Sequence, residues 1–136
     1  MSATHVTEVT DSELIAHYIT EEEAIVFNEG QLKGDIFIPS PNKQRQNRLE
    51  TSVIRFGDRN LMQMRVAGKQ WATNVGKSFI GLARWVAKDI RKIKSLNIEH
   101  TPRKWEGLHS DIVDWDTVRY LVQAELLARE ASFIRD

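Results

Sequence analysis

The stretch LHSDIVDWD, residues 108–116, brings His109, Asp111, Asp114 and Asp116 close together around Trp115. Imidazole and carboxylate are the ligand types of a hydrolytic metal site, which needs about three of them converging and an open position for water. His100, a few residues upstream, would offer a further nitrogen. No pair of these has the i, i+4 histidine spacing of a helical metal motif. Asp114 or Asp116 also has a simpler use, as the N-cap of the last helix or as an acid near the positive end of its dipole. No catalytic residue, metal or cofactor is therefore assigned, and a metal-dependent hydrolase ranks third among the functions considered. His109, Asp111 and Trp115 are kept as a candidate functional loop, because neither capping nor core packing calls for a histidine at position 109.

Two other chemistries come into view. The chain has no cysteine and no serine in a G-x-S-x-G elbow. Gly76-Lys77-Ser78 echoes the end of a phosphate-binding loop, but Trp71 stands where the upstream glycine belongs. A richer signal is the run of Arg84, Lys88, Arg91, Lys92, Lys94, Arg103 and Lys104, with Trp85 and Trp105 beside it. Cations can meet phosphates while aromatic rings stack on bases. The opposing reading is a solvated basic face with both tryptophans in the core, where their large apolar area is usually spent. Any of Trp71, Trp85, Trp105 and Trp115 left exposed would be suited to anchor a protein interface.

These residues need elements to hold them. Asp11-Ser12-Glu13 reads as an N-cap before Leu14, Ile15 and Tyr18, predicting a short helix. Strands are expected at 24–27, before the turn residues Asn28-Glu29-Gly30, and at 35–38, before the prolines at 39 and 41. Residues 43–48 continue as a basic loop, and 49–56 suit a strand rich in β-branched residues. Leu61, Met64, Ala67 or Gly68, Trp71 and Val75 recur at helical spacing over 59–75, with Asp58 as cap and Gly76 as the stop. Gly68 is the weak point, since glycine inside a helix costs about 1 kcal/mol relative to alanine. Residues 78–93 fit either a helix or a buried strand at 79–83 followed by a short helix. Residues 96–115 read as an extended loop. The last helix, 116–133, would turn Val118, Leu121, Ala124 and Ala128 inward, with Leu127 and Ala131 beside them.

The chain has 136 residues, of which 41% are hydrophobic and 28% charged, the profile of an ordinary soluble domain. One domain is expected over 1–136, with 1–10 loose. The start lacks the basic and apolar regions of a signal peptide, and no run is long enough to span a bilayer. With no cysteine, this favours a cytoplasmic protein with no membrane contact. A formal net charge of zero hides a segregation: residues 1–32 hold Glu8, Asp11, Glu13, Glu21, Glu22, Glu23 and Glu29 with no Lys or Arg, while sixteen of the nineteen Lys and Arg fall within 33–104. Acidic ends folded over a basic centre explain this better than an anionic partner, because nucleic-acid binders usually carry a net basic balance.

Several segments taken in order resemble a family of small, functionally uncharacterised bacterial proteins. They are DIFIPSP (35–41), SVIR (52–55), GKSFIGLA (76–83), TPRKWEGLHSDIVDW (101–115) and AELLAREA (124–131). The fourth corresponds to a P-x-x-H-A-x-I-x-G-W segment, with a longer gap from Pro102 to His109, Ser110 for Ala and Asp114 for Gly. The resemblance implies α+β architecture, favours a strand at 79–83 and singles out His109 and Trp115. It implies no activity. The expectation is an α+β fold, a small antiparallel sheet with two main helices, acting by binding and not by catalysis. Its role would be that of an accessory component of a larger bacterial or phage system with a protein partner. The alternative is a nucleic-acid-binding protein using residues 84–104.

Overall fold

The computed structural model describes residues 7–26 and 30–136. Along the chain run β1 (Leu14–Ile19), β2 (Ile25–Val26), β3 (Gln31–Leu32), β4 (Ser40–Asn42), β5 (Arg48–Arg55), α1 (Leu61–Asn74), β6 (Gly81–Val86), α2 (Ala87–Arg91), β7 (Asn97–His100), β8 (His109–Val113), α3 (Tyr120–Glu130) and β9 (Ser132–Arg135). Six strands line up as β7-β8-β5-β1-β6-β9. β4 pairs with β5 to complete a seven-stranded sheet, and β2 pairs with β3 in a separate ribbon. All these pairings are antiparallel. The fold is α+β, an antiparallel sheet with α1 and α3 as its two main helices.

The sheet is covered on both faces. Ala16, Tyr18, Ile54, Phe56 and Leu82 face α1, where Met64, Leu61 and Trp71 meet them. Ile15, Ile19, Val53, Ala83, Trp85, Ile98 and Ile112 face the other way, onto Ala87 and Ile90 of α2 and Ala124, Leu127 and Ala128 of α3. Along β5 the odd position Val53 faces the α3 layer and the even position Ile54 the α1 layer. Each apolar side chain fully buried in these two layers stabilises the fold by about 1.5–3 kcal/mol. Trp85, 2% exposed, also gives its indole N–H to the Leu127 carbonyl at 2.9 Å, tying sheet to helix.

Burial on both faces overturns the helix expected at 11–18. β1 lies between β5 and β6, so its apolar residues fall on successive positions and imitate a helical stripe. Asp11 and Glu13 are not caps: their carboxylates bind Arg91 and Arg55. The strand expected at 35–38 is instead a 3-10 turn, Gly34–Phe37, which drives the fully buried Phe37 into the core. The first two prolines do not end regular structure, because Ser40–Asn42 forms the edge strand β4 on β5. The 96–115 loop is likewise corrected, since it contains β7 and β8, paired from Asn97–Val113 to His100–Ser110. Of the expected features, residues 1–6, the last strand residue Phe27 and the turn positions Asn28 and Glu29 lie outside the described residues.

α1 obeys its end signals, with one change of residue. Asn60, not Asp58, is the N-cap, and it forms a reciprocal capping box with Gln63. At the other end Lys77 N–H reaches the Ala72 carbonyl at 2.8 Å and Gly76 N–H reaches that of Thr73 at 3.1 Å. This is a Schellman stop, and Gly76 takes the left-handed φ of 74° that it requires. Gly68 has a packing reason: a Cβ there would stand 2.5 Å from the Phe79 ring. Residues 78–93 resolve into the strand-then-helix alternative, as β6 and α2. α3 is shorter than expected at both ends, and its inward face is Gln123, Ala124, Leu127 and Ala128. Val118 and Leu121 face solvent, being 85% and 56% exposed.

Candidate functional site

His109 and Asp111 are not in a loop, whereas Trp115 lies in the connection from β8 to α3. His109 and Asp111 sit on β8 and are 3% and 2% exposed, and Trp115 is 7% exposed. His109 donates its Nδ1–H to the Thr101 carbonyl at 2.9 Å. The Thr101 hydroxyl donates to Asp111 Oδ2 at 2.8 Å, and Arg103 stands 3.8 Å from the same carboxylate. Burial pushes the His109 imidazole below its ordinary pKa, against the opposing pull of Asp111 and the Thr101 carbonyl. Trp115 donates to the Ile112 carbonyl at 2.9 Å and packs in the core shared with α3.

The register separates the other ligand types considered. His100 pairs with Ser110, so it lies on the opposite face from His109, and its Nδ1 accepts from Arg55 at 3.0 Å. Asp114 follows the far end of β8, exposed, with a φ of 65°. Among the described residues no three His, Cys, Asp or Glu converge on a metal position. Asp116 does cap the turn leading into α3, accepting from Val118 and Arg119 N–H at 2.8 and 3.0 Å. Those bonds hold its carboxyl below the usual range.

What His109 does support is an aromatic cleft between α1 and the β7–β8 connection. The connection is tied shut by reciprocal main-chain bonds between Arg103 and Glu106, at 2.9 and 3.1 Å. The Glu106 carboxylate accepts from Leu108 N–H at 3.0 Å and from Arg59 at 2.9 Å. At the tip of this turn Trp105 is 55% exposed. Its ring stacks on Trp71 of α1, with centroids 6.4 Å apart and planes at 27°, and meets the His109 ring edge-on at 5.8 Å. Tyr18 of β1 lies 5.7 Å from Trp71 and 6.0 Å from Phe79.

Two cavities meet at this stack. One, of about 600 Å³, is lined by Tyr18, Arg59, Gln70, Trp71, Asn74, Lys104, Trp105 and Glu106 among others. The second, of about 250 Å³, runs over β5 and is lined by Tyr18, Ser52, Trp71, Lys77, Trp105 and His109 among others. It opens where β1 and β5, paired only at Ile15–Arg55 and Ala16–Ile54, part company. There His17 inserts its ring and donates Nδ1–H to the Ser52 carbonyl at 2.8 Å. The Tyr18 hydroxyl and Arg59 Nε are buried with no hydrogen-bond partner among the described residues. Burial pushes the Tyr18 hydroxyl up to about 12; the Arg59 charge pulls it down and the Glu106 charge adds to the rise, each by less.

The basic run does not form one surface. Arg84 is on β6, in register with Ala16 on the α1 face. Lys88 and Arg91 belong to α2 on the other face, and Lys92 and Lys94 follow it. Arg103 and Lys104 belong to the β7–β8 connection. Arg91 is occupied by Asp11 at 2.7 Å and Lys92 by Asp89 at 3.3 Å. Ends and centre do join: Glu13 meets Arg55, Asp11 meets Arg91, Glu106 meets Arg59 and Asp136 meets Lys69.

Sequence reasoning marked Trp71 and Trp105 as anchors if exposed, but missed Tyr18 and Arg59. Only the β1–β5 register brings those two together, and no local spacing announces it. No protein-family model matches the chain, and neither the curated proteins nor the solved structures compared with it gave a match. No helix among the described residues is long and apolar enough to cross a membrane.

Proposed function

We propose that this protein is a non-catalytic binding domain whose binding site is the cleft around Trp71 and Trp105, serving as an accessory component of a larger bacterial or phage assembly. The observation that carries this is Trp105, an indole left 55% exposed at the tip of a turn that hydrogen bonds hold rigid. A large aromatic side chain kept in water gives up burial that the core would reward, and pre-organised aromatic anchors are where binding energy concentrates.

Trp105→Ala removes the anchor without opening the core. Affinity purification from the native host with the parent chain and with this variant, side by side, tests the reading. The expected outcome is a component, protein or nucleic acid, that the parent recovers and the variant loses. Identical recovery by both would overturn the assignment of the cleft. A second reading, nucleic-acid binding, draws its support from the lysines at the cleft and not from residues 84–94.

A further inference from the structure

We infer that the cleft takes single-stranded nucleic acid, with a base stacked on Trp105 and the sugar–phosphate chain passing between Lys104 and Lys77. The inference rests on the cleft being the binding site proposed above, and adds the class of ligand.

Three features of the cleft converge on this ligand. The first is placement of charge. Lys104 lines one of the two cavities that share Tyr18, Trp71 and Trp105, and Lys77 lines the other. Both are exposed, and neither forms an ion pair among the described residues. The acid of the cleft, Glu106, is already neutralised by Arg59. The unpaired lysine charge beside the rings is therefore positive in both cavities, which suits a polyanion running through them and opposes a cationic ligand. The second is ring geometry. Trp105 is backed by Trp71 on one side and braced by the edge of His109. An indole held this way can present its remaining π-surface to a base at little entropic cost. The third is polarity. Gln70 and Asn74 line the larger cavity and carry both donors and acceptors, the equipment for meeting base edges that a duplex would hide.

A double helix is a poor occupant, because its bases are stacked on one another and unavailable to Trp105. A neutral sugar would use the rings but leave the two lysines idle. A peptide segment is the remaining competitor and is distinguished by experiment.

The test is equilibrium binding of short labelled oligodeoxythymidine and oligouridine to the full chain, at low salt and at tenfold higher salt. Affinity should fall with salt with a logarithmic slope of about 1–2, as expected for two phosphate contacts on a single strand. Trp105→Ala should weaken binding about tenfold, and should abolish the quenching of tryptophan emission by bound oligonucleotide. Lys77→Glu with Lys104→Glu should weaken it further and flatten the salt slope. Lys88→Glu with Lys94→Glu, on the far side of the sheet, should leave it unchanged. Thermal melts of each variant confirm that the chain is folded. No binding of either oligonucleotide by the folded parent overturns the inference. So does loss on changing Lys88 and Lys94 with none on changing Trp105. If oligonucleotides fail but a protein partner is lost with Trp105→Ala, the ligand class is wrong and the cleft stands. If neither depends on Trp105, both readings fall.

Discussion

His17 and His109 give the same hydrogen to the same kind of acceptor. A main-chain carbonyl can only accept, so Nδ1 carries the proton in both rings. Burial pushes both imidazoles below their ordinary pKa of 6.5, so the folded protein holds them neutral while the unfolded chain begins to protonate near that value. Their contribution to stability is complete above about pH 6.5 and is lost as pH falls from there through the lowered folded values. Urea melts should therefore show a lower midpoint at about pH 5.5 than at about pH 7.5, and His17→Gln with His109→Gln should flatten the difference. A pH profile identical in parent and double variant would contradict the assignment. The His109 ring also meets that of Trp105 at 72°, with centroids 5.8 Å apart.

At the scale of elements, α1 shows how a local cost serves a tertiary contact. Gly68→Ala would gain helix propensity worth about 1 kcal/mol in an isolated helix. Here the new Cβ meets the Phe79 ring at 2.5 Å, and overpacking of this kind costs about 1–3 kcal/mol. The expected outcome is a net loss of stability in denaturant melts, made smaller when Phe79→Leu is added. A stabilised Gly68→Ala would mean that α1 lies further from residues 78–80 than the structure places it. The close approach matters beyond stability, because α1 carries Trp71 to within stacking distance of Trp105. The two tryptophans come from a helix and a turn far apart in the chain. The cleft depends on both being held at fixed distance from the sheet.

Over the whole molecule, part of the segregated charge is paired internally. Arg55 is 2% exposed and holds Glu13 through two bonds, Nε at 2.6 Å and Nη2 at 2.8 Å. This clasp fastens the acidic N-terminal segment to the central strand β5. A buried guanidinium that loses a bidentate carboxylate is costly, so Glu13→Ala should destabilise by about 3 kcal/mol or more. Glu22→Ala, which removes the exposed pair with Arg135, should leave the midpoint almost unchanged. Equal effects from the two substitutions would deny the clasp its structural role. With acids of the ends engaged by Arg55, Arg91, Lys69 and Arg59, the cations left over decide where an anion could bind. Lys77 and Lys104 beside the two tryptophans then stand out.

The amino-acid order by itself determined those features whose cause is local. The capping box of Asn60 and Gln63, the Gly76 stop, the β-branched run of β5 and the aspartate that caps the turn before α3 all act within a few residues. So did the α+β class, which needs only helical and extended stretches to be present. The tertiary structure decided the rest. β1 looked helical because two layers of core claim both of its faces, and periodicity carries information only when one face is wet. β7 and β8 looked like a loop because four- and five-residue strands flanking a connection with Pro102 and Gly107 leave almost no pattern to detect. His109 reads as a loop residue, and the structure buries it on β8 with Thr101 and Asp111 beside it. The cleft itself is nonlocal: Tyr18, Arg59, Trp71 and Trp105 meet only through strand register and helix packing, a geometry that no window of sequence contains.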